Sequence, residues 1–236
     1  MFVSTKALVL HATKYSDTSL IVKLYTEKFG TQSFIVKNAF SPRSRQKVSF
    51  FAPLTLLELQ FDDHKLNQLM FIKEVRCYRH YRVIPFDMVR SSLLMFYAEL
   101  LYKLLFEAGE DSRLFAFLEQ ELCNLDEISQ VRPDCHIFFM LQLADLMGFA
   151  PIDNYDEKHC YFSLEQSSFQ TQLTLDSSCL SAELSAVLGS MMRGERNGPA
   201  HKKQRNELLN ALIDYFKLHN DQLRHLDSLD ILRQIS

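Results

Sequence analysis

The residues best suited to chemistry form a basic segment between positions 37 and 47. This segment holds four cations and no acid, and it carries the aromatic residue Phe40. Cations at this density neutralise phosphate groups, and an aromatic ring among them can stack on a base. The segment therefore indicates contact with a polyanion, and a flexible solvated loop is the alternative. Its cations are Lys37, Arg43, Arg45 and Lys47.

A second basic segment extends from residue 193 to residue 205, around the turn-forming sequence Asn197-Gly198-Pro199. It stands out because the surrounding half of the chain is acidic. The segment fits a second nucleic-acid contact or a clamp for an acidic peptide tail. A plain loop between two helices explains it equally well. Its cations are Arg193, Arg196, Lys202, Lys203 and Arg205.

Motifs for catalysis are missing from the sequence. It contains no phosphate-binding loop of the G-x-x-x-x-G-K type, no G-x-G-x-x-G and no G-x-S-x-G. The acidic run at 153–157 lacks the glycine and the distal glutamate of a calcium loop. Asp62 and Asp63 fit a turn between strands better than a metal site. We therefore expect a binding protein that is not an enzyme and uses no cofactor.

The cysteines and histidines predict no metal site either. His159, Cys160 and Cys179 fall in one region, but structural zinc needs four ligands, usually in two close pairs. The five cysteines are scattered and odd in number, which is typical of a reducing cytoplasm. The apolar stretch around 93–106 is too short and too charged to span a bilayer. We expect a soluble cytoplasmic protein.

Charge is unevenly distributed along the chain. Residues 1–90 hold 14 Lys and Arg against 7 Asp and Glu, a balance of +7. Residues 91–236 hold 12 against 22, a balance of −10. A basic half joined to an acidic half suggests different partners for each, with a polyanion for the first. Random variation of surface charge along the chain is the alternative.

The sequence of the basic half, residues 1–90, predicts short strands. Its apolar residues alternate or run in short β-prone stretches, and a glycine-containing turn separates the second stretch from the third. Five short strands suggest a small closed barrel of the oligonucleotide-binding (OB) type. The basic segment then joins two barrel strands, where such folds contact oligonucleotides. Three further cations of this half are expected to contact DNA, namely Lys6, Lys14 and Arg76. Four others add to the positive field, namely Lys23, Lys73, Arg79 and Arg82.

From Pro85 onward the apolar residues recur at helical spacing. Helices are expected over 86–106, 112–125, 133–148, 181–192 and 204–218. Residues 154–175 show no helical stripe, although 161–164 fit a short strand. The expected fold is α+β, with a five-stranded OB barrel over 1–80 and a helical domain over 81–236. The helical domain is expected to contain an irregular loop over 150–180.

Taken in order, several segments resemble the RecO family. No single one is diagnostic, but they occur in the family's order along almost the whole chain. They are 7–11, 14–22, Phe29-Gly30, the basic segment, 53–59, 97–101, 143–151 and 226–232. Many members carry four cysteines where residues 154–179 hold only Cys160 and Cys179, so zinc is not inferred here.

The resemblance implies a role in DNA repair and homologous recombination. Members of the family bind single- and double-stranded DNA and anneal complementary strands. With the partner RecR they help to load the recombinase RecA onto DNA coated with single-strand-binding protein. Their helical domain engages the acidic C-terminal tail of that protein. The localisation implied is cytoplasmic and associated with the nucleoid.

Two other functions remain open from the residues alone. One is an OB-fold adaptor that binds proteins but not DNA, which would show no salt-dependent affinity for DNA. The other is a metal-dependent nuclease, which would need a constellation of carboxylates that the sequence lacks.

Overall fold

The computed structural model describes residues 1–40, 45–66, 68–173, 178–195, 198–223 and 225–235. Its first five strands are β1 (Phe2–Lys14), β2 (Leu20–Thr26), β3 (Gly30–Val36), β4 (Leu56–Asp62) and β5 (Leu69–Arg79). They form a closed barrel in the order β1-β2-β3-β5-β4. The predicted five-stranded barrel is therefore confirmed.

β1 is long enough to pair with two strands of the barrel, one on each of its edges. Its first half pairs with β4, from Phe2 opposite Asp62 onward. Its second half pairs with β2, ending at Lys14 opposite Leu20. The last gap is closed by a short parallel pairing between β3 and β5. All the other strand pairs of the barrel are antiparallel.

Alternate side chains fill the barrel, because successive residues of a strand point to opposite faces. Along β3, buried residues alternate with half-buried ones. The ring of Phe34 packs edge-on against Phe61, with centroids 5.1 Å apart. Phe29 packs on the same ring at 5.5 Å. These aromatic contacts form the centre of the barrel core.

Two helices, α2 (Met88–Leu104) and α3 (Ser112–Glu127), pack against part of the outer surface of the barrel. His11 stacks on Tyr102 of α2, with ring centroids 4.6 Å apart. Tyr25 packs on Phe115 of α3 at 6.1 Å. The apolar run 7–10 is consequently buried at every position, as expected of a strand that is covered on both faces.

One buried carboxylate fixes the connection between β5 and α2. Asp126 of α3 is only 3% exposed. It accepts hydrogen bonds from the backbone N–H groups of Arg82, Val83 and Ile84 at 2.9–3.0 Å. The connection is thus held by a side chain more than forty residues away in sequence.

Contacts between residues divide the chain into two compact units. The first contains residues 1–129 together with 226–229, and the second contains residues 130–225 and 230–236. The returning segment is held by Glu99 of α2. Its carboxylate accepts from the backbone N–H groups of Asp227 and Ser228 and from the Ser228 hydroxyl, at 2.6–2.9 Å. The first unit is therefore built from two distant stretches of chain.

The second unit is mainly helical. Its elements are α4 (Cys135–Leu146), β6 (Tyr161–Ser163), β7 (Ser168–Gln170), α5 (Ala182–Met192), α6 (Lys202–His219) and α7 (Leu229–Ile235), the last of which begins in the first unit. Ser181 caps α5 by accepting from the backbone N–H of Leu184, as its position predicts. Gly148 follows α4 with a φ of 83°, a conformation that favours glycine at a helix end.

Three elements differ from the sequence-based expectations. A short helix, α1 (Arg45–Phe50), occupies part of the expected basic loop. It spans fewer than two turns, too few for a periodic signal, and Val48 and Phe51 in and after it pack on the barrel core. Within the expected irregular loop, β6 lies where the sequence fits a short strand, but its pairing with β7 in a hairpin was not expected. The third is α7, whose seven residues were not expected to be helical.

Candidate nucleic-acid interface

Two lysines on the barrel combine an exposed charge with an aromatic neighbour. The ammonium of Lys37, just after β3, lies 4.4 Å from the centre of the Phe71 ring on β5. The ammonium of Lys73 lies 4.0 Å from the centre of the Phe2 ring. Among the described residues, no carboxylate lies within 4.0 Å of either ammonium. Both charges are therefore available to a phosphate.

Strand register places Phe71 in an outward-facing row. Ile21 of β2 is opposite Ile35 of β3, and Ile35 is opposite Phe71 of β5. Ile21 and Ile35 are half-buried, whereas Phe71 is 50% exposed. Lys73 follows two residues later, at a β-bulge of β5, and is also exposed. The row thus ends at an exposed ring beside a cation.

An open cleft of about 650 Å³ runs along this part of the barrel. It lies where β3 and β5 are parallel, and its lining includes Lys37, Phe71 and Lys73. Glu74 is the one carboxylate among its described lining residues. The cleft therefore has two cations against one acid, with an exposed aromatic ring between them. These are the features of a groove that follows a phosphate backbone and stacks on bases.

Other predicted site residues on the barrel already have carboxylate partners. Lys6 bonds to Glu119 of α3 at 2.9 Å. Lys14 bonds to Asp17 at 3.2 Å, and Arg76 pairs with Glu58. Each of these cations meets a phosphate only by exchanging its partner. Partly exposed pairs of this kind contribute only about 0–1 kcal/mol, so the exchange costs little.

The centre of the basic segment cannot be placed in the same way. Arg43 lies outside the described residues. The backbone of Arg45 and Lys47 belongs to α1, but their side chains lie outside the described part of the chain. Of the four cations predicted in this segment, the structure places the side chain of Lys37 alone.

Two cations of the second basic segment, Arg193 and Lys203, have acidic neighbours. Arg193 bonds to Glu195 at 2.8 Å and to Asp153 at 3.3 Å. Lys203 lies 3.9 Å from Glu207, one turn further along α6. The net charge presented by this segment is consequently smaller than its composition suggests.

The remaining cations of that segment have different environments. Lys202 is exposed in the first turn of α6, and Arg196 lies outside the described residues. Arg205 is half-buried near His136 of α4. Burial, together with the charge of Arg205, lowers the pKa of His136 to about 4. His136 is therefore neutral at pH 7.

The possible metal ligands do not come together as a zinc site. Asp62, Asp63 and His64 are the one group of potential ligands found close together in the described part of the chain. Asp62 ends β4, and Asp63 and His64 follow in the turn before β5, where Asp62 accepts from the backbone N–H of His64 at 3.3 Å. His159 contacts Asp156 at 2.9 Å, and Cys160 is a free thiol.

Sequence reasoning missed the aromatic part of this surface. Phe2 and Phe71 were not among the predicted site residues, and Lys73 counted only toward the general charge. The alternation of side chains along a strand is the sequence signal that identifies Phe71 and Lys73. In the segment 69–73, positions 69, 71 and 73 face outward, so Phe71 and Lys73 share a surface.

In the described part of the chain, every helix is too short or too polar to cross a membrane.

Comparison with known proteins gives matches along nearly the whole chain. Residues 1–81 match the family described as "Recombination protein O N terminal", and residues 85–227 match "Recombination protein O C terminal". A protein from Phocaeicola vulgatus named "DNA repair protein RecO" is 31% identical over 239 residues, covering 100% of this chain and 99% of the relative. A protein of the same name from Flavobacterium psychrophilum is 30% identical over 241 residues, with the same coverage. Both halves of the chain match, so the resemblance seen in the sequence is confirmed: the chain belongs to the recombination protein O family.

Proposed function

We propose that this protein is a mediator of DNA repair and homologous recombination that binds single- and double-stranded DNA and anneals complementary strands. The observation that carries the proposal is the cleft on the barrel. There, Lys37 and Lys73 lie beside exposed aromatic rings, and no described carboxylate is within 4.0 Å of either ammonium. We assign DNA binding to a domain formed by residues 1–80 and partner binding to the helical residues 81–236.

Annealing by such a surface needs no covalent chemistry. Two complementary strands repel each other through their phosphates, and a cationic groove lowers that repulsion by displacing counterions. The cations of Lys37 and Lys73 act first, because they need not exchange a carboxylate partner. Lys6, Lys14 and Arg76 join when a phosphate replaces their acidic neighbours. For Arg43, Arg45 and Lys47, the other cations of the basic segment, we propose further contacts with phosphate.

The proposed partners are those that the resemblance to the RecO family implies. Together with RecR, the protein helps to load RecA onto DNA coated with single-strand-binding protein. The acidic tail of that coating protein binds the helical domain, for which the second basic segment, with Lys202 exposed at the start of α6, is the proposed site. The protein acts in the cytoplasm at the nucleoid.

Reversing both free charges of the cleft tests this assignment. The double variant Lys37→Glu, Lys73→Glu is expected to bind a labelled oligonucleotide at least about 30-fold more weakly. This follows from losing two charge pairs of about 1 kcal/mol each. The dependence of log affinity on log salt is expected to become shallower by about two. Fluorescence anisotropy at several salt concentrations measures both quantities on single strands and duplexes.

Lys28→Glu is the matched control for this experiment. Lys28 is an exposed lysine in the turn that precedes β3, at the opposite end of that strand from Lys37. The control should change affinity and salt dependence much less. Equal losses of DNA affinity in the control and the double variant would show that the DNA-binding site is not in the cleft. A wild-type protein without salt-dependent DNA affinity would favour the adaptor function instead.

A further inference from the structure

We propose that Phe71 is a stacking platform for an unpaired base, so that the cleft holds single strands and releases the duplex once they pair. This inference rests on the proposed DNA binding by the barrel and adds to it a residue that selects single strands over duplexes. The lysines of the cleft bind phosphate, whereas Phe71 recognises the flat face of a base.

The position of Phe71 is unusual for a large apolar side chain. It lies within a strand of a closed barrel, yet it is 50% exposed, while the next residue inward, Met70, is 1% exposed. Its neighbour in the row, Ile35, supports one side of it, because the two residues are opposite each other in the parallel pairing. The ring is thus held at its base by a strand and is half exposed to solvent.

Lys37 links phosphate binding to exposure of this ring. In the free protein its ammonium lies 4.4 Å from the ring centre, which is within the range of a cation–π contact. A phosphate is a stronger partner for an ammonium group than an exposed ring, since charge-assisted hydrogen bonds form. A strand that draws Lys37 to its backbone therefore uncovers the Phe71 face for a base.

A second pair repeats this arrangement beside the first. The ammonium of Lys73 lies 4.0 Å from the Phe2 ring, which is 54% exposed. Phe71 and Lys73 are two residues apart on one strand, about 7 Å along it. Two cation–ring pairs side by side match a strand that presents phosphates and bases repeatedly along its length. Phe71 is the better platform because the cleft surrounds it.

Stacking of this kind distinguishes single strands from duplexes. Within a duplex, both faces of each base are covered by its neighbours, and extruding a base costs a few kcal/mol. Phe71 therefore strengthens binding of an unpaired strand, while a duplex meets only the cations. When two bound strands pair, their bases leave the ring and the product is held less tightly than the reactants. The surface therefore favours release of the annealed duplex.

The variant Phe71→Leu removes the ring and keeps an apolar side chain of similar reach. We expect its affinity for a single-stranded oligonucleotide to fall at least about fivefold, the effect of losing one stacked base. Its affinity for a duplex of the same length is expected to stay within twofold of wild type. An oligonucleotide of abasic sites, which has phosphates but no bases, should also bind both proteins equally. Anisotropy titrations at one salt concentration give all three affinities.

Phe86→Leu is the matched control, because Phe86 is 89% exposed and lies outside the barrel, before α2. It should leave all three affinities unchanged. Unchanged single-strand binding by Phe71→Leu would overturn the stacking role, as would an equal loss on duplex and abasic strands. If the lysine double variant binds DNA normally, the proposed function of the cleft fails. If that variant binds weakly but Phe71→Leu does not, only the stacking role fails.

Discussion

Replacing Gly30 with alanine is expected to destabilise the first unit by about 2–5 kcal/mol. Gly30 begins β3 with a φ of 62°, and a side chain in this region costs about 1–2 kcal/mol. A Cβ built there would lie 2.4 Å from the carbonyl oxygen of Ala108 and 2.5 Å from the carbonyl carbon of Gly109. Relieving such an overlap by moving packed atoms costs about 1–3 kcal/mol more.

The clashing atoms cannot move away cheaply, because they are backbone held against the strand. The backbone N–H of Thr31 donates to the Ala108 carbonyl at 2.9 Å. The hydroxyl of Thr31 donates to the Leu105 carbonyl at 2.6 Å. Any shift that makes room for a methyl group at Gly30 stretches these bonds between β3 and the connection that follows α2.

Gly148→Ala separates the overlap from the backbone conformation. Gly148 has a φ of 83°, but no atom lies within 4 Å of a Cβ built there. It should cost only about 1–2 kcal/mol. Denaturant unfolding followed by circular dichroism, with calorimetry to separate transitions of the two units, gives both values. Equal losses for the two variants would show that the close approach to Ala108 has no energetic weight.

Asp126→Ala is expected to lower the free energy of unfolding by about 2–4 kcal/mol. The substitution leaves the backbone N–H groups of Arg82, Val83 and Ile84 without their acceptor. Ile84 is buried, and a buried donor without a partner costs about 1–3 kcal/mol, whereas the exposed Arg82 and Val83 can donate to water and add less. Asp111→Ala is a suitable control, since Asp111 accepts from two backbone N–H groups at the start of α3 but is less buried. The Asp111→Ala substitution should lower the free energy of unfolding by about 1 kcal/mol.

The effect of Asp126 is also expected to depend on pH. Burial raises the pKa of its carboxyl, but the backbone N–H groups of Ile84, Arg82 and Val83 donate to it and bring the pKa below its ordinary value. A lowered pKa in the folded state contributes stability above the unfolded pKa of about 4. That contribution is lost as the pH falls through the folded pKa.

The wild type and Asp126→Ala should therefore differ most in unfolding free energy at neutral pH. Their difference should narrow as the pH falls below about 4, where the carboxyl group of the unfolded chain becomes protonated, and continue to narrow until the folded wild type is protonated too. Denaturant unfolding at pH 7, 5, 4 and 3 measures this. A difference that stays constant across that range would mean that the ionised carboxylate is not what holds residues 82–84.

Much of the fold was predictable because it rests on local periodicity. The five strands followed from period-two alternation and turn residues, and the longer helices followed from apolar stripes. The short elements were not predictable, since α1 spans six residues and β7 only three. Such segments take their structure from tertiary contacts, as Val48 and Phe51 do against the barrel core.

The candidate site was predictable only in part, and Lys37 and Lys6 show why. Lys37 was identified from the composition of its own segment. The partner of Lys6 is Glu119, which is 113 residues away, so no local reading of the chain reveals the pair. For the same reason, the charge difference between the two halves of the sequence overstates the charge of the barrel surface. Acids from the acidic half, Glu119 and Glu127, pair with barrel cations.

The return of residues 226–229 to the first unit has a consequence for biosynthesis. A ribosome makes the chain from residue 1 onward, so the barrel and its two helices emerge well before Ser228 does. The three hydrogen bonds to Glu99 can form only after all of residues 130–225 have been translated, because their donors belong to Asp227 and Ser228. The unit that begins to fold first is therefore completed only when residues 226–229 are made, and until that moment a nascent chain carries an unfinished surface on α2.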